Sequence, residues 1–199
     1  MALLPWFLAS YLLGSLPTSY IVVKLVRGQD LRTLGSGNLG ATNLYRVLGW
    51  KYAIPVAILD MLKGTIPVAV FGPAAGAGDL VTILLGIAAV IGHVFSAFVK
   101  FKGGKGVATG AGIVLGLAPW AFAASLAVWA LVVKLSGYVS LGSVVAAVAL
   151  PPLVYLLHSE RRPLLWLFAS LAALIIVLHA SNLKRLLRGT ENRFGGRPA

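Results

Sequence analysis

Residues 107–133 read VATGAGIVLGLAPWAFAASLAVWALVV, an apolar run longer than the roughly 20 residues that one membrane span requires. Pro119 interrupts it. A proline inside a helix lacks the N–H its turn would use and collides with the preceding turn. The stretch therefore predicts two helices, a short, partly inserted one over about 107–118 and a second that returns to the same side. Working outward, apolar runs at about 3–23, 52–71, 80–99, 138–157 and 164–180 each suit one span. The sum is an all-α, polytopic membrane protein of about seven segments.

Composition agrees. Of 199 residues, 59% are hydrophobic and only 11% charged, whereas a soluble domain carries about 25% charge. The N-terminal run has no basic segment before it and no small-residue cleavage site, so it reads as a retained helix rather than a signal peptide. No Lys or Arg precedes Lys24, while Lys184, Arg185, Arg188, Arg193 and Arg197 follow the last run. The positive-inside rule then sets the N-terminus outside and the C-terminus in the cytoplasm. The loops at 24–51 and 100–106 face the cytoplasm with it, and Glu160-Arg161-Arg162 falls outside. No repeat or long linker divides the chain, so a single domain over 1–199 is expected.

The net charge of +12 comes from 17 Lys and Arg against 5 acids. With the positives lying between spans, it points to anionic lipids or substrates rather than nucleic acid. Cysteine is absent, which excludes disulfides, thiolate nucleophiles and Cys-based zinc sites. Three histidines and five acids make a metal site unexpected, and no cofactor is called for.

Four polar clusters remain. The first is Phe101-Lys102-Gly103-Gly104-Lys105-Gly106-Val107-Ala108-Thr109. Glycines allow close backbone approach and lysines add charge, so this loop suits an anion such as phosphate. It lacks the P-loop spacing and a preceding strand. The second, Gly35-Ser36-Gly37-Asn38-Leu39-Gly40-Ala41-Thr42-Asn43-Leu44-Tyr45-Arg46, matches G-x-G-x-x-G, but a membrane helix precedes it, and Asp60 lies inside the next apolar run instead of ending a strand. It offers uncharged donors in Ser36, Asn38, Thr42 and Asn43, and a bidentate fork in Arg46. The third is Tyr138-Val139-Ser140-Leu141-Gly142-Ser143. In the fourth, His179–Glu191, His179 and Asn182 stand at i, i+3 on one helix face. Asp60 and Lys63, also at i, i+3, are the one oppositely charged pair inside an apolar run, and His93 reads either as a hydrogen-bonded core histidine or as a group behind the lysine loop.

Taken together and in their order along the chain, these clusters resemble the motifs of the PlsY family of bacterial acyl-phosphate:glycerol-3-phosphate acyltransferases, over nearly the whole chain. Gly35–Arg46 resembles the first motif, Gly92-His93 through Thr109 the second, and Tyr138–Ser143 with His179–Glu191 the later ones. Ser96 stands where the family usually has proline, and Gly137 where an arginine commonly precedes Tyr138. The resemblance implies a seven-helix enzyme of the bacterial inner membrane with its site on the cytoplasmic side. It implies acyl transfer from acyl phosphate to the sn-1 hydroxyl of glycerol 3-phosphate, giving lysophosphatidic acid and inorganic phosphate. The partners expected are those two substrates and membrane lipids. The protein is expected to be a monomer with a functional link to the enzyme that makes acyl phosphate.

On this reading His179, Asn182, Ser36 and Lys105 are catalytic. Gly37, Asn38, Gly40, Thr42, Asn43, Arg46, Lys102, Gly103, Gly104, Gly106 and Ser143 bind substrate or phosphate. His93, Asp60, Lys63 and Glu191 support them. A transporter of organophosphate anions is the alternative, since it too would use apolar helices, glycine breaks and buried positive charges.

Overall fold

The computed structural model describes residues 2–195, in two compact units, one running to Leu117 and the other from Ala118. Arg197 of the C-terminal basic set lies outside the described residues. Regular structure among the described residues is helical throughout. In the first unit α1 is Leu4–Ser15, α2 Thr18–Arg27, α3 Ala41–Leu48, α4 Trp50–Ala74, α5 Asp79–Val94 and α6 Val107–Leu117. In the second, α7 is Pro119–Ser136, α8 Val139–Leu157, α9 Leu165–Leu178 and α10 Ala180–Leu187.

Five segments are long and apolar enough to cross a membrane: Leu4–Arg27, Trp50–Ala74, Asp79–Val99, Pro119–Ser136 and Val139–Leu157. The α9–α10 pair forms a further candidate, bent by 56°, and Val107–Leu117 is a shorter apolar helix. Pro119 opens α7 at its first position, where its missing N–H has no helical partner to lose. Pro55, Pro151 and Pro152 lie inside helices without ending them.

The first apolar run is not the single helix its sequence suggests. It breaks at Leu16-Pro17 between α1 and α2. Breaking a helix in hydrocarbon frees carbonyls that no water can satisfy. Side chains from elsewhere take them up: the Ser96 hydroxyl donates to the Ser15 carbonyl, and the Lys63 ammonium donates to the Leu16 carbonyl at 2.5 Å. Lys63 also donates to Asp60 Oδ1 at 2.6 Å and to Thr18 Oγ1 at 3.1 Å, so its three N–H donors meet three acceptors. Thr18 Oγ1 in turn donates to Asp60 Oδ1 at 2.6 Å. Asp60 and Lys63 are 1% and 3% exposed. The expected ion pair is therefore present, and it also anchors the break to α4.

Helix pairs in this unit approach until backbones touch. A Cβ on Gly14 would strike the Ala89 backbone, and one on Gly92 that of Tyr11, across α1 and α5. Gly64 meets Thr109 and Gly112 meets Met61 in the same way across α4 and α6. Without a hydrophobic driving force between helices in lipid, such small-residue contacts carry the packing.

Lys63→Met would leave the buried Asp60 carboxylate without its cation, which costs about 3–5 kcal/mol for a buried pair. The expected result is a clear fall in the thermal midpoint in detergent, and a smaller fall for Asp60→Asn combined with Lys63→Met. Equal losses in the two variants would show that the charge imbalance is not what destabilises the protein.

Candidate functional site

Two polar groups are built, one in each unit. In the first, the loop after α2 lies on an apolar base. Leu31, Leu39 and Leu44 are buried with Val23, Val56 and Val99, and Leu34, Val47 and Leu48 pack against them. The buried Ser19 hydroxyl donates to the Leu39 carbonyl at 2.6 Å. Earlier in the loop, Asp30 accepts from the Arg32 backbone N–H and from its guanidinium at 2.6–3.1 Å. The Arg32 hydrogen bonds hold the Asp30 carboxyl at about 2.

Asn43, only 1% exposed, sets the shape of the glycine loop. Its Oδ1 accepts the Ser36 N–H at 2.8 Å, and its Nδ2 donates to the Leu34 and Asn38 carbonyls, each at 3.0 Å. These bonds make Asn43 a brace for the loop, where the sequence suggested a ligand contact. Gly35 and Gly37 take positive φ of 55° and 71°, which glycine adopts without strain. Ser36 is exposed, Gly37, Asn38, Gly40 and Thr42 are half-buried, and Arg46 lies half-buried in the last turn of α3.

The lysine loop closes back on α5. The Gly103 N–H donates to the Val94 carbonyl at 2.9 Å, and the Gly104 N–H to the His93 carbonyl at 3.0 Å. These bonds cap the helix C-terminus. The sequence set Gly103 and Gly104 among the phosphate-binding residues, whereas their N–H groups go to the helix end. Lys100 and Phe101 precede them at φ 57° and 59°, a left-handed conformation uncommon outside glycine. Beyond the turn, Lys102 is exposed, Lys105 half-buried, and Gly106 buried at φ 72°. The first turn of α6 follows directly, adding the positive end of a helix dipole to the Lys105 charge.

In the second unit, His179 does not lie on one helix with Asn182. It occupies the break between α9 and α10. Its backbone N–H reaches both the Ile175 and Ile176 carbonyls, and its ring Nδ1 lies 2.8 Å from the Ile175 carbonyl. A carbonyl can only accept, so Nδ1 carries a proton. The Ile175 carbonyl thus accepts from both the backbone and the ring of His179 at the end of α9.

Glu191 is the centre of this group. Its Oε1 accepts from Asn182 Nδ2 at 2.6 Å and from Ser140 Oγ at 2.9 Å, and its Oε2 from Arg185 Nε at 2.6 Å. Burial pushes its carboxyl up, but the hydrogen bonds from Asn182, Arg185 and Ser140, with the Arg185 charge, outweigh that and hold it below the ordinary 4.5. Ser143, by contrast, donates to the Val139 carbonyl one turn back on its own helix. Sequence reasoning misses Ser140 although it shares a face with Ser143. The signal for it is Glu191 itself, an acid among basic residues that must find donors once buried. At Gly137, where the backbone turns at φ 78°, the Arg193 stem packs alongside and its guanidinium lies 5.5 Å from the Tyr138 ring centroid. Among the described residues no cluster of three or more His, Cys, Asp or Glu could hold a metal.

A carboxyl depressed by folding stabilises the native state fully above its unfolded value and loses that contribution as pH falls through the folded one. The stability difference between the protein and its Glu191→Gln variant should therefore be flat above about pH 5 and close steadily with acid. Thermal midpoints across a pH series measure this, and a difference that grows toward acid would contradict it.

Known proteins share both the sequence and the fold. A family profile described as Glycerol-3-phosphate acyltransferase matches residues 4–189. The glycerol-3-phosphate acyltransferase of Syntrophotalea carbinolica is 46% identical over 188 residues, covering 94% of this chain and 95% of that protein. That of Geobacter sulfurreducens is 44% identical over 93% of this chain and 94% of the relative. A crystal structure of PlsY, an integral membrane glycerol 3-phosphate acyltransferase, in its glycerol 3-phosphate form superposes with a TM-score of 0.89 at 40% identity, over 96% of this chain and 95% of the other. A second PlsY structure, the lysophosphatidic acid form, gives 0.86 at 38% identity, over the same 96% and 95%. By profile, relatives and fold, this multi-pass membrane protein belongs to the glycerol-3-phosphate acyltransferase family.

Proposed function

We propose that this chain transfers an acyl group from acyl phosphate to the sn-1 hydroxyl of glycerol 3-phosphate, releasing lysophosphatidic acid and inorganic phosphate. The observation that supports the reading is His179 held with its Nδ1–H on the Ile175 carbonyl, in a chain whose relatives are named glycerol-3-phosphate acyltransferases. The hydroxyl oxygen attacks the acyl carbonyl, its proton passes to His179 Nε2, and the bond from the carbonyl carbon to the phosphate oxygen breaks. Asn182, fixed by Glu191, orients the acceptor. Arg46 and Lys105 neutralise phosphate charge and lower the repulsion between two anionic substrates. Ser36 adds a hydroxyl donor, and Lys102 attracts anions toward the loop.

No acyl-enzyme is required. Cysteine is absent, and the group beside His179 Nδ1 is a carbonyl, not the carboxylate of a nucleophilic triad. The donor already carries a good leaving group, so attack can be direct. The positive-inside distribution favours a cytoplasmic site in a bacterial inner membrane.

The test supplies purified protein with glycerol 3-phosphate and either palmitoyl phosphate, palmitoyl-CoA or palmitoyl carrier protein. Lysophosphatidic acid is expected from acyl phosphate alone, and thioester use would overturn the donor assignment. His179→Ala should lower turnover by about 10²-fold or more, the usual size of a lost general base. Near-normal turnover would leave the substrate's own phosphate as proton acceptor. Arg46→Ala and Lys105→Ala should each raise an apparent KM for a phosphate substrate by about 10-fold or more, as expected for one charge-assisted bond. Unchanged constants would remove them from the phosphate site.

A further inference from the structure

His93 touches the lysine loop in more ways than a packed core histidine would. It lies in the last turn of α5 at 8% exposure. Its carbonyl accepts the Gly104 N–H at 3.0 Å, and the next carbonyl accepts the Gly103 N–H. The Nε2 edge of its ring lies so close to Gly104 that a Cβ there would overlap it. On its other side, Nδ1 is 3.9 Å from Asp60 Oδ1, the carboxylate held by Lys63 and Thr18. One residue thus links the buried ion pair to the backbone immediately before Lys105.

From this geometry we propose that His93 is a positioning residue. Its ring is the wall against which Gly104 seats, and this seating sets the place of Lys105 for the phosphate of glycerol 3-phosphate. The proposal rests on the acyltransferase reading for its kinetic consequence, though not for the contact itself. The two glycines differ in a way that isolates the ring. At Gly103 an added Cβ would strike the His93 and Val94 carbonyls, which no side-chain change can remove. At Gly104 the nearest obstacles are His93 ring atoms alone, and the backbone there has no positive φ. The harm done by Gly104→Ala should therefore be relieved by shortening His93, while that of Gly103→Ala should not.

The experiment measures KM for glycerol 3-phosphate, kcat and the ligand-free thermal midpoint for Gly104→Ala, Gly103→Ala, His93→Asn and the two double variants. Asn keeps an amide on the Asp60 side and ends short of Gly104. Gly104→Ala should raise KM about 10-fold with kcat within about 3-fold, since the contact positions a binding group rather than a reacting one. His93→Asn should raise KM several-fold. The double variant with Gly104→Ala should recover at least part of the loss, and that with Gly103→Ala should recover none.

Additive effects at both glycines, or a His93→Asn variant with wild-type KM, would overturn the proposal. If Gly104→Ala proves too unstable to assay, its thermal midpoint decides: recovery in the double variant supports the contact, and no recovery overturns it. Wild-type protein that makes no lysophosphatidic acid would refute the acyltransferase reading instead, while the midpoints would still test the His93–Gly104 contact.

Discussion

Hydrocarbon offers no water to a backbone carbonyl, so each break in a membrane helix must bring its own partner. That constraint organises this protein. The first break, at Leu16-Pro17, is closed by Lys63 and Ser96. The end of α5 is closed by the N–H groups of Gly103 and Gly104. The break between α9 and α10 forms around the His179 ring. The glycine loop after α2 is folded onto the Asn43 amide. Three of these four places lie in the polar motifs. Satisfying the backbone and positioning the functional side chain are, at each of them, parts of one arrangement.

The two groups solve different electrostatic problems. In the first unit a buried ammonium, Lys63, faces a buried carboxylate, Asp60. In the second, a single carboxylate gathers Asn182, Ser140 and Arg185 and fixes an amide that would otherwise rotate. Hydrogen bonds to charged groups are worth about 1.5–3 kcal/mol each, enough to hold Glu191 ionised despite its burial. The acid therefore fixes the Asn182 amide and the Ser140 hydroxyl, while the His179 ring takes its orientation from the backbone.

The fold class was legible because the apolar runs exceed what a soluble core needs and Pro119 divides the longest. Prolines alone did not locate the breaks, however. Pro17 marks one, while Pro55, Pro151 and Pro152 sit within continuous helices. The difference lies in distant partners for freed carbonyls, which spacing does not encode. The glycines of the lysine loop announced a close approach, and the structure shows one made to His93. The i, i+3 spacing of His179 and Asn182 suggested one helix face, but His179 lies in the break between α9 and α10. Ser140 was hidden because a membrane-helix serine commonly bonds its own backbone, as Ser143 does.

The backbone contacts across Gly14, Gly64, Gly92 and Gly112 give the molecule an uneven tolerance to sequence drift. Positions facing lipid can exchange one apolar side chain for another with little effect. At these four glycines even a methyl group would push neighbouring helices apart, and compensation would require moving a main chain. Adaptation to a thicker membrane or a different temperature is thus confined to the outer surface, around an inner frame that must pass unchanged from one variant to the next.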